Sequence, residues 1–74
     1  MIHTIFFGRG NPLYPDAWRV LSFKKRKRAF EVANAIGAVM LGPDFRVFGD
    51  RGAPIQETRR NDAFFIRLVI DAQP

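Results

Sequence analysis

The chain of 74 residues contains no cysteine, one histidine (His3) and one serine (Ser22), and each shortage closes a class of chemistry. Without thiols there is no disulfide framework to reinforce a small core and no thiolate set for a structural zinc. With a single histidine and a single serine, a nucleophile, a base and an orienting acid cannot be assembled in the usual way. One histidine among scattered acids has no ligand spacing either, so neither a metal nor a cofactor is expected. Carboxylates occur at Asp16, Glu31, Asp44, Asp50, Glu57, Asp62 and Asp71. Most of them fall in turns or on a polar helix face, where they are solvated, so a two-carboxylate mechanism is a weak reading and a non-enzymatic protein is expected. No apolar run approaches the roughly twenty residues of a membrane span. The stretch MIHTIFFGRG also lacks the order of a signal peptide, which points to a cytoplasmic protein with no membrane partner.

What is present is aromatic and basic. Eight Phe, Trp18 and Tyr14 supply the large apolar area per residue that one short domain, spanning 1–74, needs for its core. Twelve Lys and Arg against seven Asp and Glu give a net charge of +5, which favours association with nucleic acid or an acidic protein surface and also serves solubility.

Ile2 to Phe7 is β-branched and aromatic and reads as a strand, and the Gly, Pro and Asn content of Gly8 to Asp16 reads as an irregular loop. Ala17 to Phe23 is a second strand, with Trp18 and Val20 on one face and Arg19 and Leu21 on the other. From about Lys25 to Leu41 the period changes: Ala29, Phe30, Val32, Ala33, Ile36, Gly37, Val39 and Met40 form an apolar arc at helical spacing, with Lys24, Lys27, Arg28, Glu31 and Asn34 opposite. Ala29, Ala33 and Gly37 make a small-residue stripe that suits close packing on a sheet, and Gly42-Pro43 ends the helix. Phe45 to Phe48 alternates and reads as one arm of a hairpin turning at 49–52, with Ala53 to Thr58 as the other arm and Pro54 near its start. Arg59 to Asp62 is a polar turn. In the last strand, Ala63 to Ile70, the residues Phe64, Ile66, Leu68 and Ile70 share one face and Phe65, Arg67 and Val69 the other. The order β-β-α-β-β-β predicts an α+β fold of two layers, a mainly antiparallel sheet of four to five strands with one helix on one face. A parallel pairing by crossover stays open, as does the strand order.

Gly8-Arg9-Gly10-Asn11 follows a strand but lacks the later glycine and the Lys-Ser/Thr end of a phosphate loop, so it reads as a turn. The motif that stands out is Lys24-Lys25-Arg26-Lys27-Arg28, five cations at the start of a helix, where the macrodipole is positive and each costs about 0.3–1 kcal/mol. A local rule broken without structural gain marks a candidate binding site for an anionic partner. The competing readings are a solvated helix end and a nuclear localisation signal, and the second is disfavoured because the run leads straight into a packed helix. A second candidate is the outer sheet face: Phe65 and Arg67, with Arg46 and Phe48 or Arg19 and Leu21, would make a stacking platform for single-stranded nucleic acid. Alternatively, that face is covered by the 8–16 loop through Leu13 and Tyr14, or by a second copy in a homodimer.

An aromatic strand end entering a helix rich in small residues (Ser22-Phe23, then Ala29-Phe30 and Ala33), followed by a glycine break and Phe45-Arg46-Val47-Phe48-Gly49-Asp50, resembles small ββαββ proteins of phages and mobile elements, among them anti-CRISPR proteins. Many of those are acidic and imitate nucleic acid, whereas this chain is basic. The resemblance therefore implies an inhibitor that docks on a host defence complex by surface complementarity, with no catalytic residues to carry over. The expectation is a non-enzymatic interaction protein that binds an acidic protein surface or nucleoprotein complex through Lys24, Lys25, Arg26, Lys27 and Arg28. The alternatives are direct nucleic-acid binding with Arg46, Phe65 and Arg67, and a structural or assembly subunit.

Overall fold

The computed structural model describes residues 2–47 and 54–71, with the side chains of Pro15 and Asp16 left aside. Four strands and one helix follow in the order β1 (His3–Asn11), β2 (Tyr14–Phe23), α1 (Arg26–Met40), β3 (Ile55–Arg60) and β4 (Phe64–Ile70). They form one antiparallel sheet, ordered β2-β1-β4-β3, with α1 on one face. The helix carries the chain from one sheet edge to the other, and no parallel pair results.

Alternation decides which residues meet the helix. His3, Ile5, Ile66, Leu68 and Ile70 are buried, and their register partners across β1 and β4 fall in the same rows: Ile5 opposite Leu68, Phe7 opposite Ile66. Ala29 and Ala33 close the core from above, with no exposure at all. On the far face the register aligns Val20, Phe6, Arg67 and Thr58 in one row and Trp18, Gly8, Phe65 and Arg60 in the next. The division of β2 and β4 between two faces is thus the one the sequence indicates.

Two expectations are corrected. The 8–16 segment is no irregular loop: β1 continues to Asn11, turns at Pro12-Leu13 and returns as β2 from Tyr14. A register shift between Arg9 and Gly10 absorbs one extra residue, and Gly10 takes φ 86 there. The Asn11 side chain accepts the Leu13 amide proton at 2.8 Å, and Pro15 sits on an edge strand, where its missing N–H is tolerated. Gly8 is required for a different reason. A Cβ there would lie 2.8 Å from the Trp18 Cα and closer still to the Ala17 carbonyl oxygen, both backbone atoms that cannot swing aside. Gly8→Ala is therefore expected to lower stability by about 1–3 kcal/mol, as read by urea unfolding.

The strand expected at 45–48 is the second correction. Phe45–Val47 alternates as anticipated, with Phe45 and Val47 buried and Arg46 exposed, but it joins no ladder; Phe48, the 49–52 turn and Ala53 lie outside the described residues. The backbone of Val47 pairs instead with a helix side chain: Val47 N–H donates to Asn34 Oδ1 at 2.7 Å and Asn34 Nδ2 donates to the Val47 carbonyl at 3.3 Å. Asn34, expected on the solvent face, is half-buried and does the work of a neighbouring strand. Asn34→Ala leaves the Val47 amide buried and unpaired, so a loss of about 2 kcal/mol is expected in denaturant titrations.

Gly37 is buried in line with Ala29 and Ala33, as the small-residue stripe implies, and its open side receives the ring of Phe45, itself part of the core. Val39, placed on the apolar arc by its spacing, is 86% exposed. At the helix end the Leu41 amide bonds the Gly37 carbonyl, Gly42 takes φ 123, and Asn61 Nδ2 donates to the Met40 carbonyl from the β3–β4 turn. The same Asn61 accepts the amide protons of Ala63 and Phe64, holding the turn as it caps the helix. Among the described residues, no helix is long and apolar enough to cross a membrane.

Candidate cationic site at the helix start

α1 begins at Arg26 with Lys25 as its N-cap, no side chain caps it, and its first turn contains no acid. The five cations of the run therefore surround the amide end of the helix without the local compensation that Asp or Glu would give. Compensation comes from the other end of the chain. Asp71, just past β4, forms an ion pair with Arg26 through Oδ2, and the Arg26 guanidinium also lies 4.6 Å from the Phe30 ring centroid. Asp71 holds a left-handed backbone, φ 55, which aspartate tolerates better than most residues, and its amide donates to His3 Nδ1 at 3.0 Å. The same Nδ1 of the buried His3 lies 3.6 Å from Asp71 Oδ1. His3 thus joins the first strand to the end of the last.

The run is thus divided. Arg26 is half-buried and holds the helix start to the sheet. Lys24, Lys25, Lys27 and Arg28 are exposed; among them only Arg28 has a described carboxylate partner, Glu31 at 3.4 Å, with both side chains more than half open to solvent. Such an exposed pair contributes about 0.3–0.5 kcal/mol and leaves the guanidinium available. The result is a cluster of four cations on a short arc beside unsatisfied helix amides.

The remaining expected site residues do not join it. Arg46 is exposed on the segment between α1 and β3, its carbonyl accepting a bond from Arg59 Nη1 at 3.0 Å. Arg67 lies on the sheet face opposite the helix and donates to Thr58 Oγ1 at 3.0 Å. Phe65, on that same face, is only 4% exposed, so it cannot serve as a stacking surface. Its partner across β1 is Gly8, which has no side chain to compete for the space, and the hairpin tip bends nearby, with Pro12 and Leu13 lining one groove beside Thr58, Arg60 and Arg67. Leu13 and Tyr14 themselves remain about four-fifths exposed and do not form the expected cover. Arg19 and Leu21 belong to the helix side of the sheet; Trp18 and Val20 occupy the outer face instead, both about half exposed. Sequence reasoning passed over Arg9, whose pairing with Ala17 and Phe64 within an extended hairpin was hidden by the loop-like composition around it.

Among the described residues, no cluster of His, Cys, Asp and Glu could hold a metal ion. No family model matches the chain, and no curated protein or solved structure matches it.

Proposed function

We propose that the protein is a non-enzymatic binding module that docks on an acidic macromolecular surface through Lys24, Lys25, Lys27 and Arg28. The observation that carries this reading is the division of the cationic run: one arginine is tied down by Asp71, while four neighbouring cations are displayed around an uncapped helix start where each opposes helix stability. Unsatisfied amides and clustered positive charge suit carboxylates or phosphates, and electrostatic complementarity of this kind speeds encounter and fixes register. Blocking of the bound surface, as the resemblance to phage-encoded inhibitors implies, follows from occupancy alone and needs no catalytic residue.

Nucleic acid is the competing partner, favoured by the exposed indole of Trp18 on the same sheet face as Arg60 and Arg67. That face and the helix start lie on opposite layers, so the two readings predict different footprints. Titrating isotope-labelled protein with oligoglutamate and with a short single-stranded DNA separates them. Shifts confined to residues 24–28 by either probe support the proposed site, shifts at Trp18, Arg60 and Arg67 move the interface to the sheet, and no shifts in low salt refute both.

A further inference from the structure

At the other end of α1 the two-layer packing is incomplete. β1 and β2 run for 9 and 10 residues, about 30 Å of strand. The 15-residue helix covers only about 22 Å. Past Met40 the helix no longer covers the helix-side face of the hairpin, and a groove of about 630 Å³ forms there, lined among others by Phe7, Phe64, Met40, Ala17, Arg9 and Arg19. Its floor is apolar: Phe7, Phe64 and Met40 are each half-buried, leaving ring and thioether surface uncovered. Its rim is cationic. Arg9 pairs with Ala17 and Arg19 with Phe7, so the two arginines occupy diagonal positions on the same face of neighbouring strands, roughly 7–8 Å apart at their roots. Both are exposed, and neither has a carboxylate partner among the described residues.

Two like charges close together on a sheet oppose each other, and both lie over apolar surface that no described residue covers. A single ligand would relieve both conditions: an apolar body to cover the floor and an anionic head to bridge the guanidiniums, whose planar donor forks match carboxylate and phosphate oxygens. We propose that this groove binds a small organic anion, with its apolar body against Phe7, Met40 and Phe64 and its carboxylate or phosphate head between Arg9 and Arg19. The site shares no residue with the helix start and lies a helix length away from it, so either proposal can fail without the other.

We would titrate the isotope-labelled protein with 4-phenylbutyrate, phenyl phosphate and inorganic phosphate, following the amide shifts of Phe7, Arg9, Arg19, Met40 and Phe64. A saturable response is expected to at least one aromatic anion, with inorganic phosphate weaker by about tenfold or more because it cannot cover the floor. Whichever of the first two binds more tightly identifies the head group. Arg9→Gln with Arg19→Gln, both exposed and harmless to the core, should weaken binding by about tenfold or more. No saturable response to either aromatic anion, equal binding by the double variant, or shifts confined to residues 24–28 would overturn the proposal.

Discussion

Phe45→Ala is expected to destabilise the protein by about 3 kcal/mol, and in doing so to reverse the effect of a second substitution, Gly37→Ala. The Phe45 ring is 8% exposed, packs into the space left by Gly37 and has the Arg59 guanidinium 5.2 Å from its centroid. Helix propensity alone favours alanine over glycine by about 1 kcal/mol at an interior position. With the ring in place, the added methyl displaces it, and Gly37→Ala should instead cost about 1–2 kcal/mol. Without the ring the space is open, and the same substitution should stabilise by about 1 kcal/mol. The double-mutant cycle, measured by urea unfolding, is therefore expected to show a coupling of about 2–3 kcal/mol. Additive effects would mean that the ring does not sit on the glycine.

How far the fold was legible follows from how local each cause is. The last strand was readable because period-two alternation is carried by adjacent residues: Ile66, Leu68 and Ile70 face in, Arg67 faces out, whatever the rest of the chain does. The Gly8 to Asp16 stretch was not, since glycine, proline and asparagine serve a loop and a bulged hairpin equally well, and only the pairing of Gly8 with Trp18 and Phe65 distinguishes them. Phe45–Val47 had the alternation of a strand, but its backbone partner is the side chain of Asn34, 13 residues earlier. No periodicity records such a bond. The Asn61 contact with the helix end spans 21 residues and was equally hidden.

The candidate site was legible as a run and illegible in its internal division. Five consecutive cations announce themselves, yet nothing local separates Arg26 from Lys25 or Lys27; what does is Asp71, 45 residues away, which the antiparallel pairing of β1 and β4 brings back to the helix start. Phe65 failed as a platform residue because alternation assigns it a face but says nothing of its cover, and on the outer face it is 4% exposed.

Replacing Lys24, Lys25, Lys27 and Arg28 together by Glu is expected to abolish binding to acidic probes while making the fold slightly more stable. The two halves have one cause. Carboxylates near a helix N-terminus are favoured by the macrodipole where cations are disfavoured, so exchanging the signs should raise stability by about 1 kcal/mol, net of the lost Arg28–Glu31 pair. Arg26 and Asp71 are untouched, so the tie between helix and sheet persists. Affinity for an anionic surface should meanwhile fall beyond about a hundredfold, since each attraction becomes a repulsion. If single-stranded DNA is the ligand, the slope of log affinity against log salt should also shrink by roughly 3, at about 0.7 per lost phosphate contact. A solvated helix end kept only for solubility would show the gain in stability without any loss of binding.

The most direct test is a fluorescence-anisotropy titration of labelled oligoglutamate and labelled single-stranded DNA with the natural protein and the fourfold Glu variant, each checked by thermal melting. Binding to at least one probe by the natural protein, lost in a variant that melts no lower, is the result expected of a helix start that sacrifices stability for recognition. Equal binding by the two proteins, or no binding by the natural protein in low salt, would contradict it.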